Sequence, residues 1–520
     1  MSQGTALTVA VTGIEGHLVD VSAILEPGLP GFLLIGLPND SETRDRVRAA
    51  LANSGHPVKS QRIQVELSPG TGNLGTGFDL AIAVALLSAA AQITRPDERS
   101  RKFVYVAELG LDGRIRPVRG VFAATLAATQ AGVMDVVVAE ENAAEATLAP
   151  SARVHGVRHL NDVIALHERT APARTVTHLS DRARQPRLLL RQPDNPPPRL
   201  LAAPDLRDVI GSPEGRRAVE IAAAGGHHLL LIGLPGAGKT LLATRLPGLL
   251  PNLSDPEALE VTAIHSVAAT LDPPSELIRH PPFVAPHHTS TLTSLIGGGS
   301  GLPRPGALSR AHRGILFLDE APEFDHHILD TLPARLDQGE IVIHQAHGAT
   351  RFPARFQLVL ATSPCPDLRH GPGQDCICAP AVRRRYLGRI PAGLLDRIDL
   401  QITMAPISPG DLISASPGED TATVAARVAQ ARTAQRHRLS GTPFPLNAQA
   451  PSGLLHGALR LPPGDTQDID RAREHGHLSA DGYDTVLRIA WTLSDLDGRT
   501  RPDRGHLLQA FQLRQPGSQG

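Results

Sequence analysis

The chain holds only three cysteines, Cys365, Cys376 and Cys378, all inside the stretch CPDLRHGPGQDCIC. Three clustered thiols exclude the spaced framework of a small disulfide-stapled secreted protein. Aromatic residues make up 3% of the sequence, with a single Trp. Cores must therefore be built from Leu, Val, Ile and Ala, and base recognition by aromatic stacking is not indicated. Lysine occurs only at Lys59, Lys102 and Lys239, although Lys and Arg together number 51. The formal net charge is −1, so no global basic field marks a nucleic-acid binder. Any such contact must come from local loops. The longest apolar run, FDLAIAVALLSAAAQI, carries Asp79 and is too short to span a bilayer. No basic segment followed by an apolar stretch opens the chain, so no secretory signal is read. These absences predict a soluble, cytoplasmic protein.

What is present is organised in blocks. A chain of 520 residues is expected to form about two to four domains. Residues 1–169 alternate strand-like segments (FLLIGL, RIQVEL, KFVYVAEL, VMDVVVAE) with helical ones, such as SETRDRVRAALANSG ending at Gly55. Residues 170–203, rich in Arg and Pro, show no periodicity and predict an extended linker. Residues 204–406 read as a second α/β region. Its strands HHLLLIG, GILFLDE and RFQLVLATS include the apolar runs that buried parallel strands require. Residues 407–520 are mainly helical, and no internal repeat is found.

GLPGAGKT, residues 233–240, matches the phosphate-loop pattern between an apolar strand and a helix. Gly233, Leu234, Pro235, Gly236, Ala237 and Gly238 let the backbone wrap a phosphate and aim N–H groups at it. Lys239 should reach the β and γ phosphates, and Thr240 should ligate Mg²⁺. One of three lysines in an Arg-rich chain stands at this position, where a compact point charge suits and a planar guanidinium does not. About eighty residues later the apolar strand GILFLDE ends in Asp319 and Glu320. In that context Asp319 would hold Mg²⁺ through water and Glu320 would polarise the attacking water. Arg397, in LLDRIDL, is either a salt-bridge partner of Asp396 or Asp399 or an arginine finger reaching a neighbouring subunit.

With these motifs the chain resembles the YifB/ComM family of magnesium-chelatase-like AAA+ ATPases. The resemblance is carried by the phosphate loop, by APHHTS, by IGGGSGLPRPGALSRAHRGILFLDEAPEF and by LLDRIDLQI. In the first block it is carried by GFLLIGLPNDSETRDRVRAALANSG, GFDLAIAVALL and ELGLDGRIRPVRGV. It implies an α/β fold: an N-terminal domain similar to the Lon protease domain (ribosomal S5 domain 2-like), an AAA+ core with a parallel sheet, and a helical lid. It also implies ATP and Mg²⁺ as cofactors and a homo-hexameric ring. The activity implied is that of an ATP-driven motor that remodels DNA by branch migration in the recombination of incoming DNA. A chelatase-type motor acting on a protein partner and a nucleotide-binding scaffold with weak turnover are the alternatives. The near-neutral charge favours the first alternative. Two departures from the family pattern favour the second: Ser363 stands at the sensor-1 position, usually Asn, and Asp481 where relatives tend to carry Arg. Arg488 is the candidate substitute for the missing arginine.

Gly70, Gly72 and Gly75 form a G-x-G-x-x-G before a helix, with Glu108 ending a later strand. The motif does not lie at the first βα turn, and Glu108 comes later than the roughly 20-residue spacing of the dinucleotide fingerprint, which argues against dinucleotide binding; the resemblance implies a Lon-like loop here. The segment LGTGFDL carries Thr76 and no serine, which argues against proteolysis. Gly297, Gly298 and Gly299 predict a mobile loop, near which Arg304, Arg310 and Arg313 either touch phosphates or are solvated. The pairs His287–His288 and His326–His327 lack metal-ligand spacing and read as polar or packing residues. The cysteine cluster is read as a Zn²⁺ knuckle or as its eroded remnant. Cys365, Cys376 and Cys378 would be completed by Asp367 or His370, since zinc accepts mixed thiolate, imidazole and carboxylate sets.

Overall fold

A computed structural model describes residues 2–37, 41–58, 61–70, 77–93, 102–168, 175–176, 204–272, 276–299, 302–345, 348–366, 378–405 and 418–514. The chain opens with a long hairpin. Strands β1 (Ser2–Thr12) and β2 (Glu15–Glu26) pair antiparallel from Ser2↔Leu25 to Thr12↔Glu15. Val19, Val21, Ala23 and Leu25 of β2 are buried, every second residue, as a strand with one face on a core requires. The sheet continues through β3 (Gly31–Ile35), β4 (Arg62–Ser68), β5 (Phe103–Val106), β8 (Asp135–Ala139), β9 (Arg153–Val157) and β10 (Thr175–Val176). Its order is β10-β9-β8-β5-β1-β2-β4-β3, while β6 (Glu108–Leu109) and β7 (Ile115–Arg116) form a separate ribbon.

Helix α1 (Ser41–Asn53) ends before Gly55, whose φ of 85° suits glycine at a helix stop. Every residue of helix α2 (Asp79–Ala89) is buried. That burial includes Asp79, which ion-pairs with Arg46 at 2.9 Å and accepts from the Leu109 N–H at 3.3 Å. Desolvation pushes the Asp79 carboxyl up to about 6, against the pull of Arg46. Of the glycine-rich run before α2, Gly72, Gly75 and Thr76 lie outside the described residues.

The second sheet is fully parallel. It holds β11 (Leu229–Gly233), β12 (Phe283–Val284), β15 (Ile315–Leu318), β18 (Gln357–Thr362) and β19 (Leu400–Met404), in the order β12-β15-β18-β11-β19. Both faces are covered, which is why its strands are continuous apolar runs. Leu229, Leu231, Phe317, Val359 and Ala361 pack on one side with Val428, Ile489 and Trp491 of the C-terminal helices. Leu230, Leu316, Leu318, Leu358 and Leu360 pack on the other with Ile328, Leu332 and Leu394.

Two ribbons project from this region: β13 (Gly297–Gly298) with β14 (Arg304–Pro305), and β16 (Glu340–Gln345) with β17 (Gly348–Pro353). The glycine triplet is therefore not wholly the mobile loop expected. Gly297 has φ 106°, and an added Cβ there would lie 2.3 Å from the Arg304 carbonyl oxygen, so the close pairing needs glycine.

The two sheet regions share an apolar cluster. Phe122, Ala123, Leu148 and Ala149 pack with Ala263, Val267 and Phe352. The turn of the first hairpin sits on β17: a Cβ at Gly13 (φ 65°) would lie 2.2 Å from the Arg351 carbonyl oxygen. Of the stretch expected as a linker, only Thr175–Val176, paired with β9, is among the described residues.

Candidate nucleotide site

The phosphate loop leaves the C-terminal end of β11, and Gly236 and Gly238 adopt φ of 83° and 82°. Those values fold the backbone into a loop that side-chain-bearing residues rarely make. Lys239 begins the helix Lys239–Ala243. Its buried ammonium donates to the carbonyl oxygens of Gly233 at 2.6 Å and Leu234 at 3.1 Å. Burial pushes the Lys239 pKa down, and the charges of Asp319 and Glu320 pull it back up. One cation thus faces two carboxylates supplied by a strand two places away in the sheet.

Thr240 Oγ1 donates to Asp319 Oδ2 at 2.8 Å, and the Glu320 N–H donates to Asp319 Oδ1 at 3.0 Å. Both carboxylate oxygens of Asp319 are therefore aimed. Glu320 sits at φ 53°, a conformation that costs a non-glycine residue about 1–3 kcal/mol and that turns its side chain out of the strand line. His288 Nδ1 lies 3.8 Å from Glu320 Oε2, and its ring packs, tilted, against that of His287 with centroids 4.1 Å apart and meets Phe324 edge-on. His288, expected to be a polar or packing residue, lies beside the second acid. The signal available was its position in APHHTS, just after a short strand of the same sheet.

Ser363 is buried and follows β18 directly, so it lies at the same sheet edge, between β11 and β15. Arg397 does not pair with Asp396 or Asp399. It binds the Asp337 carboxylate, with Nε at 2.9 Å from Oδ1, and donates from Nη1 to the Gly393 carbonyl at 2.8 Å. Asp399 is taken instead by a buried histidine: His227 Nδ1 lies 3.1 Å from Asp399 Oδ2, and His227 Nε2 lies 2.8 Å from Thr492 Oγ1. Asn447 joins Thr492 to Asp495, which Arg438 also binds. This network, illegible in sequence because its members come from five separated places in the chain, ties the start of β11 to the helices Thr421–Arg438 and Ala480–Leu496. Arg488 donates to the Ala450 carbonyl at 2.8 Å, and Asp481 lies exposed at the start of the Ala480–Leu496 helix.

Arg313 pairs with Glu257 at 3.3 Å and Glu260 at 3.4 Å, so its charge is committed within the chain. His326 pairs with Asp330 at 3.0 Å on its own helix. Cys365 is buried just past Ser363 and Cys378 is half-buried; Cys376, Asp367 and His370 lie outside the described residues. Among the described residues no group of three or more His, Cys, Asp or Glu side chains is placed to hold a metal ion. No helix among them is long and apolar enough to cross a membrane.

A central parallel strand leading into a phosphate loop, with an acid-tipped strand two places away, defines a P-loop fold of the AAA+ class. The magnesium chelatase, subunit ChlI family matches residues 205–412, its C-terminal family residues 418–514, and the subunit ChlI of Mg-chelatase family residues 21–142. An uncharacterized protein of Mycobacterium tuberculosis is 46% identical over 521 residues, 100% of both chains. YifB of Escherichia coli is 37% identical over 519 residues, 99% of this chain and 97% of its own. Competence protein ComM of Haemophilus influenzae is 36% identical over 525 residues, 99% of this chain and 98% of its own. The chain belongs to the YifB/ComM family of magnesium-chelatase-like AAA+ proteins.

Proposed function

We propose that this chain is an Mg²⁺-dependent ATPase that remodels DNA, working in the cytoplasm as a homo-hexameric ring. The observation that carries the ATPase reading is the convergence of Lys239, Thr240, Asp319 and Glu320 at one sheet edge. The DNA reading is supported by the full-length similarity to a protein named for competence. In this reading residues 1–169 form a Lon-like domain, 170–203 a linker, 204–406 the ATPase core and 407–520 the lid.

The residues present suit the nucleotide. Among the described residues, the Lys239 ammonium donates to carbonyls of its own loop, which phosphate oxygens of ATP would replace. Thr240 and Asp319 would hold Mg²⁺, which when bound neutralises charge on the β and γ phosphates. Glu320 accepts the proton of a water whose oxygen bonds to the γ-phosphorus as the bond to the bridging oxygen breaks and ADP leaves. Ser363 orients that water by its hydroxyl. Arg397 of a neighbouring subunit, released from Asp337, stabilises the charge that develops on the transferring group.

The test is ATP-dependent branch migration of a synthetic four-way junction by the purified chain. Movement that needs ATP hydrolysis is expected. ATP hydrolysis without any effect on junctions or forks would contradict the DNA reading and favour a protein substrate.

A further inference from the structure

Arg119 and Arg304 come from distant parts of the sequence and both lie at the junction of the two sheet regions. Arg119 precedes Gly120, whose N–H donates to the Ser266 carbonyl at 3.3 Å and whose φ of 74° carries the chain into α3 (Val121–Gln130). A Cβ at Gly120 would lie 3.2 Å from Val267, so Arg119 is held where the first region abuts the helix Asp255–Ala268. Arg304 lies on β14, next to that same helix, and Leu302 just before it packs into the cluster that holds Phe122.

The two arginines are a charge imbalance. Arg119 Nη1 is sealed from solvent and has no hydrogen-bond partner among the described residues. The Arg119 pKa is pushed down by burial and then by the nearby charge of Arg304. Among the described residues neither guanidinium has a carboxylate within ion-pair distance, whereas Arg313 and Arg351 close by are paired with Glu257 and Glu340. Two like charges held near each other without a carboxylate are costly, and an anion bound between them offsets that repulsion; Arg119 as a whole is only half-buried. The guanidinium fork matches phosphate oxygens in a bidentate way. Arg304 is exposed, so its guanidinium is open to a ligand from solvent.

We propose that Arg119 and Arg304 together bind one phosphate of a nucleic-acid backbone, at a site shared by the N-terminal region and the β13–β14 ribbon. The inference rests on the DNA reading above and names where the backbone is held. A backbone contact also suits a chain with 3% aromatic residues.

The test is DNA binding by the full-length chain, followed by fluorescence anisotropy across a salt series with Arg119→Gln, Arg304→Gln, the double variant and Arg304→Glu. The slope of log K against log salt should fall by about 0.7–0.9 in the double variant, one phosphate's worth, with either single change giving most of that fall. Thermal unfolding of the double variant should be no lower than wild type, because a repulsion has been removed. Arg304 is exposed, so Arg304→Glu should fold and bind more weakly than Arg304→Gln. Wild-type affinity and slope in the double variant, or in Arg304→Glu, would overturn this site while leaving the DNA reading intact. No salt-dependent DNA binding by the wild-type chain would overturn both.

Discussion

Thr240 Oγ1 donates a 2.8 Å hydrogen bond to Asp319 Oδ2, joining the end of the phosphate loop to the acid strand across the intervening β18. A hydroxyl and a carboxylate held this way form two neighbouring oxygen ligands for a hard cation before it arrives. Asp319→Asn keeps the shape and removes the charge. The Mg²⁺ concentration for half-maximal ATPase activity should rise by about 10²-fold or more, the order expected when a full charge beside the ion is lost. A magnesium titration of activity measures it.

Arg397 is held by Asp337 within its own chain, so in the proposed ring any reach into a neighbour depends on exchanging that partner. Arg397→Ala should lower kcat by about 10³-fold or more while nucleotide affinity stays near wild type. Mixing inactive Arg397→Ala with inactive Lys239→Ala chains should restore activity, because some interfaces then pair an intact arginine with an intact phosphate loop. Activity that stays absent across all mixing ratios would place Arg397 outside the neighbour's site.

His288 stands 3.8 Å from Glu320 and is braced by His287 and Phe324. A residue that only positions the proposed base, Glu320, should affect kcat and leave KM alone. His288→Ala is expected to reduce kcat by about 10-fold, and His288→Asn, which keeps a polar side chain, by less. Steady-state kinetics of the two variants give the split.

Asp79 supplies a pH signature for the first region. Its carboxyl rises from an ordinary 3.8 to about 6 in the folded chain. Between those values the folded chain keeps a proton that the unfolded chain has lost. The stabilisation is therefore full below about 3.8 and is lost as pH rises through about 6. Asp79→Asn should remove it, making the stability gain between pH 7 and pH 4 smaller by up to about 3 kcal/mol. Urea denaturation at several pH values checks the slope.

Much of the site was legible because its residues are contiguous in sequence. The phosphate loop and the two acids each announce themselves by spacing next to an apolar strand, and the structure brings Lys239, Thr240, Asp319 and Glu320 together. The strands FLLIGL, RIQVEL, GILFLDE and RFQLVLATS appear as β3, β4, β15 and β18. What escaped depends on long-range partners. The choice of Asp337 by Arg397 spans sixty positions and cannot be told from its near acids by composition. The histidine network from His227 to Thr492 and Asp495 is likewise set by packing. The opening hairpin carries a signal of its own in β2, where Val19, Val21, Ala23 and Leu25 alternate with residues of the other face.

The central claim is that this sheet edge hydrolyses ATP and couples hydrolysis to DNA. The most direct measurement is steady-state phosphate release by wild type and Lys239→Ala, with Mg²⁺, in the presence and absence of branched DNA. The account predicts hydrolysis that DNA stimulates and that Lys239→Ala reduces by about 10²-fold or more. Equal hydrolysis by wild type and Lys239→Ala would contradict it.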